Sequence, residues 1–152
     1  MNSYLKETKK LLSEERKPLM VVIGNESVDL DSAVSSLSLA YHLNKVKCKS
    51  KIISNENKLE NFFVLPIINA KKVELPIKTE VTHWIIKNNI ELSNLICRDE
   101  INLDDVDKFI LVDHHVSVFR DKCWIIDHLI KIQAWQAIVF LKSKKLDLVH
   151  HW

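Results

Sequence analysis

The stretch Leu19-Met20-Val21-Val22-Ile23-Gly24-Asn25-Glu26-Ser27-Val28-Asp29-Leu30-Asp31 decides the fold class. Its first five residues are an unbroken apolar run of strand length. With no polar residue at either alternate position, the run predicts a strand buried on both faces. A polar loop follows, and from Ser32 to Asn44 the apolar positions Val34, Leu37, Leu39, Ala40 and Leu43 predict a helix packed on a sheet. A doubly buried strand, a polar loop and a helix make the repeating unit of a parallel α/β domain.

The same alternation extends in both directions. Upstream, residues 3–16 place Leu5, Leu11 and Leu12 among charges, an amphipathic helix with Ser3 as its N-cap, stopped by Pro18. Downstream, 51–54 (KIIS) and 62–68 (FFVLPII) are strand candidates, with Pro66 demoting part of the second to an edge or loop. Residues 79–88 read as a helix, and Leu95-Ile96-Cys97 as a short strand running into Arg98-Asp99-Glu100. Phe109-Ile110-Leu111-Val112 is the clearest central strand and leads into Asp113-His114-His115. Trp124-Ile125-Ile126 is a further strand, ending in Asp127-His128, and 132–141 is a final helix before a basic tail. The expected fold is α/β, a mostly parallel sheet flanked by helices.

Composition narrows the function. A chain of 152 residues suits one domain or one lobe. Net charge is +2 with scattered lysines, which argues against nucleic acid and against a polybasic membrane surface. No apolar run approaches the roughly 18–20 residues of a membrane span, and the charged N-terminus has no signal-like apolar region. Cys48, Cys97 and Cys123 are odd in number and lack CxxC spacing, so they read as core residues in a reducing compartment. The expected location is cytoplasmic, with nuclear entry open. Gly24 is the single glycine, where about ten would be average for this length, so Asn and Asp are candidates for the turns that glycine would normally serve.

In an open parallel sheet, ligands bind beyond the carboxyl ends of the strands. Asp29 and Asp31 follow the first strand, Asp99 the LIC run, Asp113 the FILV run and Asp127 the WII run. Five carboxylates on one sheet edge repel one another unless counter-charge is supplied, and hard oxygen donors with imidazole suit Mg²⁺ or Mn²⁺. Two such ions about 4 Å apart can clamp a phosphate and activate a water. Each aspartate taken singly has a plainer reading, as a helix N-cap or an Asx turn. Asp29 and Asp31 together exceed what one cap needs. Two Asp-His pairs after successive strands favour metal over a packed histidine. His42 and His83 lie on helices as surface or core residues, and Asp104, Asp105 and Asp107 read as a solvated loop.

The segment Gly24 to Ser32, with its Ser/Leu/Ala-rich helix, resembles motif I of the DHH phosphoesterases. The prune-like branch, near the exopolyphosphatases and family II pyrophosphatases, is the better match, because Asn25 stands where those pyrophosphatases carry His. Ser13 to Val22, Glu74-Leu75-Pro76, Arg98 to Ile101 and Leu111 to His115 resemble that branch in the right order, so the likeness runs from about residue 3 to 128. It implies that 1–130 is a DHH N-terminal domain, that 131–152 is an atypical segment, and that the second domain of such proteins is not included. Leu129-Ile130 departs from the Arg-Pro of relatives, and the fourth metal motif has no counterpart, Asp147 being a poor candidate.

By this resemblance Asp29, Asp31, Asp99, Asp113 and His128 are metal ligands. Asp113, His114 and His115 form the catalytic motif, and Asn25, Arg98, His114 and His115 contact substrate. The cofactor implied is a pair of Mn²⁺ or Mg²⁺ ions. The reaction implied is hydrolysis of a phosphoanhydride in short polyphosphate or pyrophosphate, or of a cyclic-nucleotide phosphodiester. The competing expectation is a non-catalytic prune-like fragment acting through protein contacts, with a nucleoside diphosphate kinase-type protein as the implied partner. A nucleotide-binding or receiver-like domain is disfavoured, because no Gly-rich phosphate loop is present.

Overall fold

The computed structural model describes residues 1–13, 18–49, 62–113 and 123–125 of the chain. The expected strand at 51–54, His114, His115, Asp127, His128 and everything from 131 onward lie outside the described residues. Helix α1 spans Asn2–Ser13, β1 Leu19–Ile23, α2 Leu30–Lys49, β2 Phe63–Ile67, α3 Thr79–Lys87, β3 Lys108–Leu111 and β4 Cys123–Ile125. The four strands form one sheet in the order β2-β1-β3-β4, with every pairing parallel. The expected α/β class with a parallel sheet is what the chain adopts.

Alternation along β1 divides the core between the two faces of the sheet. Met20 and Val22 join one cluster with Leu5, Leu37, Ala40, Val81, Trp84 and Ile85, so α1, α2 and α3 cover that face. Val21 and Ile23 join the other with Leu65, Ile67, Ile96, Val106, Phe109 and Leu111. Burial on both faces is why β1 is apolar at every position. Each such aliphatic side chain contributes about 1.5–3 kcal/mol relative to exposure.

Several sequence expectations shift. Helix α1 begins at Asn2, which places Ser3 inside the helix instead of at its cap. Helix α2 begins two residues early, at Leu30, and runs on past Asn44 to Lys49. The LIC run is no strand: Ile68 and Cys97 form an isolated parallel bridge between two short 3-10 turns, at Leu92–Asn94 and Arg98–Glu100.

Pro66 sits inside β2, paired with Val22, and does not end it. The Phe63 amide donates to the Pro18 carbonyl, on the β1 side, so the next residues alternate away from β1 and back. Even-numbered positions of β2 therefore face outward. There the hydroxyl of Tyr4 donates to the Val64 carbonyl at 3.1 Å, and the amide of Ile68 donates to the Ile96 carbonyl at 2.9 Å. The N–H that Pro66 lacks would point away from β1, so the sheet loses no ladder bond.

The turns use very little glycine, for a visible reason. Asn89, after α3, and Asp113, after β3, take left-handed backbone with φ 54° and 56°, and Val28 does so at φ 51°. Asn and Asp tolerate that region; a β-branched valine does so at a cost. Gly24 itself has ordinary φ and is required by proximity: a Cβ there would lie 2.0 Å from Ser32 Oγ and 2.9 Å from the Ser32 carbonyl oxygen.

Candidate active site

The chain leaves β1 toward β2 on one side and returns to β3 on the other, so the topological switch point lies between β1 and β3. Crevices that take ligands open there, beyond the carboxyl ends of the strands. The two strands end level, Ile23 opposite Leu111, and the Val112 amide still bonds the Ile23 carbonyl at 3.1 Å. Asn25 and Asp113 therefore emerge side by side.

Asn25 Nδ2 donates to Asp113 Oδ2 at 2.7 Å, and a longer contact of 3.4 Å reaches Asp29 Oδ2. The other end of the amide accepts from the Val28 backbone N–H at 3.0 Å and lies 2.7 Å from Ser27 Oγ. That network fixes the amide orientation, with nitrogen toward the carboxylates. Ser27 Oγ is also 3.3 Å from Asp29 Oδ2; its one proton serves the shorter contact. The turn that holds Asn25 so forces Val28 into left-handed backbone while burying its side chain.

Asp29 takes the plainer of the two roles considered from sequence. Its Oδ1 accepts the Ser32 amide at 2.9 Å and its carbonyl accepts the Ala33 amide at 3.1 Å, so it is the N-cap of α2. Its Oδ2 remains on the Asn25 side. Asp31, in the first turn of α2, is exposed, and its side chain makes no hydrogen bond among the described residues.

The RDE turn lies on the same edge of the sheet but beyond β2. Asp99 is exposed and accepts the Lys72 backbone N–H at 2.9 Å, which orders the 3-10 turn Lys72–Ile77. The Arg98 amide bonds the Ile68 and Ala70 carbonyls at 3.0 and 3.1 Å. With β2 between the bridge at Cys97 and β1, Asp99 stands about two strand spacings, roughly 10 Å, from the line of β1. Glu100 accepts Lys72 Nζ at 2.6 Å and Lys9 Nζ at 3.3 Å. Burial raises its pKa, but the bonds from Lys72 and the Cys97 amide and the charge of Lys9 outweigh this and hold it below the usual carboxylate range. The Cys97 thiol is pushed up to about 11, by burial first and then by Glu100 and Asp99.

Three residues outside the sequence candidates complete the site. Ser27 braces Asn25. Asn69, buried just after β2, donates from Nδ2 to the Gly24 carbonyl at 2.8 Å and fixes where β1 ends. Lys78 Nζ donates to the Ser27 carbonyl at 2.5 Å. Asn69 was findable, since it too follows an apolar run at this sheet edge; Lys78 had no signal short of the tertiary fold. Asp104, Asp105 and Asp107 are exposed as expected, yet Asp107 is more than a solvated group: its Oδ2 accepts the Leu19 amide at 2.8 Å and secures the start of β1. His42 and His83 are exposed on α2 and α3.

The structure thus brings Asn25, Asp29 and Asp113 together, leaves Asp31 on the adjoining helical turn, and engages Asp99 with Lys72. Among the described residues no group of three or more His, Cys, Asp or Glu side chains is gathered to hold a metal ion. No helix among them is long and apolar enough to cross a membrane.

An α/β domain whose described strands are all parallel, with carboxylates gathered beyond its switch point, is the class that fold and site define. Over 121 residues, 76% of its length, the chain is 40% identical to human exopolyphosphatase PRUNE1, covering 24% of that protein, and equally so to the bovine protein of the same name. It is 31% identical to mouse protein prune homolog 2 over 129 residues, 80% of this chain and 4% of that protein. No family profile matches the chain. These relatives support a prune-like family for the matched segment. The chain spans about a quarter of the length of the exopolyphosphatase relatives it matches.

Proposed function

We propose that the crevice between β1 and β3 is a divalent-cation-dependent phosphohydrolase site. Its substrate would be a phosphoanhydride in short polyphosphate or pyrophosphate, or a cyclic-nucleotide phosphodiester. The observation that carries this reading is the Asn25–Asp113 bond across the switch point, with Asp29 beside it.

The donor set fits a hard cation. Asp29 and Asp113 offer carboxylate oxygens, each with lone pairs beyond those used in the hydrogen bonds described, and no thiolate enters the cluster. Asp29, Asp31 and Asp113, with His128, would hold the ions; Asp99, expected from the resemblance as a fifth ligand, is engaged by the Lys72 amide beyond β2 and would have to reach them from there. When bound, Mg²⁺ or Mn²⁺ would neutralise phosphoryl oxygens and lower the pKa of water. Asn25 orients both carboxylates and partly offsets their repulsion. His114 and His115, which follow Asp113 directly, would contact metal or phosphate.

The name of the PRUNE1 relatives, exopolyphosphatase, supports the phosphoanhydride class among these substrates. The test is phosphate release from short polyphosphate with Mn²⁺, comparing the chain with Asp113→Asn, a change that tolerates left-handed backbone. Turnover abolished by the substitution is expected. Metal binding with no turnover in the parent chain would defeat the reading for this polypeptide and favour the non-catalytic alternative.

A further inference from the structure

We propose that Lys78 is a substrate-binding residue of this site, taking a phosphate of a condensed phosphate chain. The assignment rests on the phosphohydrolase reading and adds to it a substrate contact beyond the Asn25, Arg98, His114 and His115 expected from sequence.

The first argument is position. Lys78 lies 51 residues from Ser27, yet its ammonium bonds the Ser27 carbonyl. Ser27 is the residue whose hydroxyl braces Asn25 and approaches Asp29. Lys78 thereby stands beside the loop that carries the carboxylate cluster, on the approach from α3.

The second argument is charge. Lys6 pairs with Glu91, and Lys9 and Lys72 both pair with Glu100. Lys78 makes no ion pair among the described residues; the partner it has is a neutral carbonyl, which occupies one of three ammonium donors. A half-buried cation beside an acidic crevice, with two donors to spare, suits an anionic ligand.

The third argument is local cost. Lys78 is the N-cap residue of α3 and makes no side-chain cap. Ser, Thr, Asn or Asp would satisfy an exposed helix amide there, whereas a cation opposes the helix dipole. A residue that contradicts its local position at the rim of a crevice marks a site where function outweighs stability.

The ligand follows from the chemistry. A condensed phosphate brings several negative charges to a site already lined with carboxylates. Cations bound by those carboxylates offset part of that charge, and a lysine serves as a point charge for a phosphate beyond them. On ligand arrival the ammonium can keep its bond to the Ser27 carbonyl and donate a second proton to a phosphate oxygen, so no rearrangement of the loop is required.

The test is calorimetric binding of inorganic tripolyphosphate to the full chain in Mg²⁺, for the parent, Lys78→Met and Lys78→Arg, with Mn²⁺ binding and thermal midpoint measured on each. Lys78→Met keeps the aliphatic stem and should weaken tripolyphosphate binding about tenfold or more. Lys78→Arg should restore most of it, and Mn²⁺ affinity should be the same in all three. Equal tripolyphosphate binding by parent and Lys78→Met, or none by the parent, overturns the assignment. So does a parallel loss of Mn²⁺ affinity, which would make Lys78 a brace for the loop alone. Lys78-dependent binding without phosphate release would sink the hydrolase reading and leave this one standing.

Discussion

Asn25 and Asp113 are 88 residues apart in sequence, yet the amide of one donates to the carboxylate of the other at 2.7 Å across the gap between β1 and β3. The contact exists because the two strands end level and because Asp113 turns its backbone into the left-handed region as it leaves the sheet. Asn25 is held from behind by Val28 and Ser27, so it presents its nitrogen outward. Replacing it with Asp would set three carboxylates against one another. Asn25→Asp should destabilise the fold by about 1–3 kcal/mol near neutral pH, read from urea unfolding. The deficit should shrink at pH 4, where carboxylates begin to protonate. A deficit independent of pH would mean that geometry and not repulsion controls the loop.

Gly24 is the position where a methyl group has nowhere to go. Gly24→Ala should cost about 1–3 kcal/mol through overpacking against α2. Removing the Ser32 hydroxyl relieves the 2.0 Å approach but not the 2.9 Å approach to the Ser32 carbonyl oxygen. The double variant Gly24→Ala/Ser32→Ala should therefore recover part of the loss. Strict additivity in a double-mutant cycle would contradict this account.

Cys97 provides a pH signature. Its thiol titrates at about 11, above its ordinary value of 9.0, because burial and then Glu100 and Asp99 disfavour the thiolate. A group whose pKa is raised on folding contributes stability below its unfolded value and loses it as pH climbs through the folded value. Stability should fall between about pH 9 and pH 11, and less steeply in Cys97→Ala. At pH 8 the native thiol should react slowly with a disulfide reagent, with rapid labelling only in denaturant.

Asp107 ties the β3 entry to the start of β1 through the Leu19 amide, and the Asp107 amide in turn bonds the Leu19 carbonyl at 3.2 Å. The carboxylate is exposed, so Asp107→Ala should cost only about 1 kcal/mol in unfolding experiments. Amide exchange at Leu19 should accelerate by more than exchange at Val22. Uniform acceleration along β1 would argue against local anchoring.

Strands buried on both faces were legible because nothing in LMVVI or FILV interrupts the apolar run, and a parallel sheet demands that continuity. The same rule misled at Leu95–Cys97, an apolar triplet buried under 3-10 turns that makes one bridge and no ladder. Pro66 marked an edge strand correctly, since β2 ends the sheet; the loop alternative did not hold, because sequence shows the missing N–H but not which way it would have pointed. In the site, Asp29 and Asp113 could be read from their places after strands. Val28 could not, since a β-branched residue gives no hint of left-handed backbone. Lys78 could not either, because its contact with Ser27 exists only once α3 and the β1 loop are brought together.

Pro66 and its outward-facing neighbours have a consequence for self-association. The exposed margin of a sheet is a template for a foreign strand, and proteins blunt it in several ways. Along the outer side of β2, the Val64 carbonyl is taken by Tyr4, Pro66 offers no donor, and Ile68 is engaged through both its amide and its carbonyl by Ile96 and Arg98. An incoming strand would find broken hydrogen-bonding opportunities at three successive outward positions. Fibril growth or strand exchange from that margin is disfavoured by the covalent chemistry of one residue and the anchoring of its neighbours.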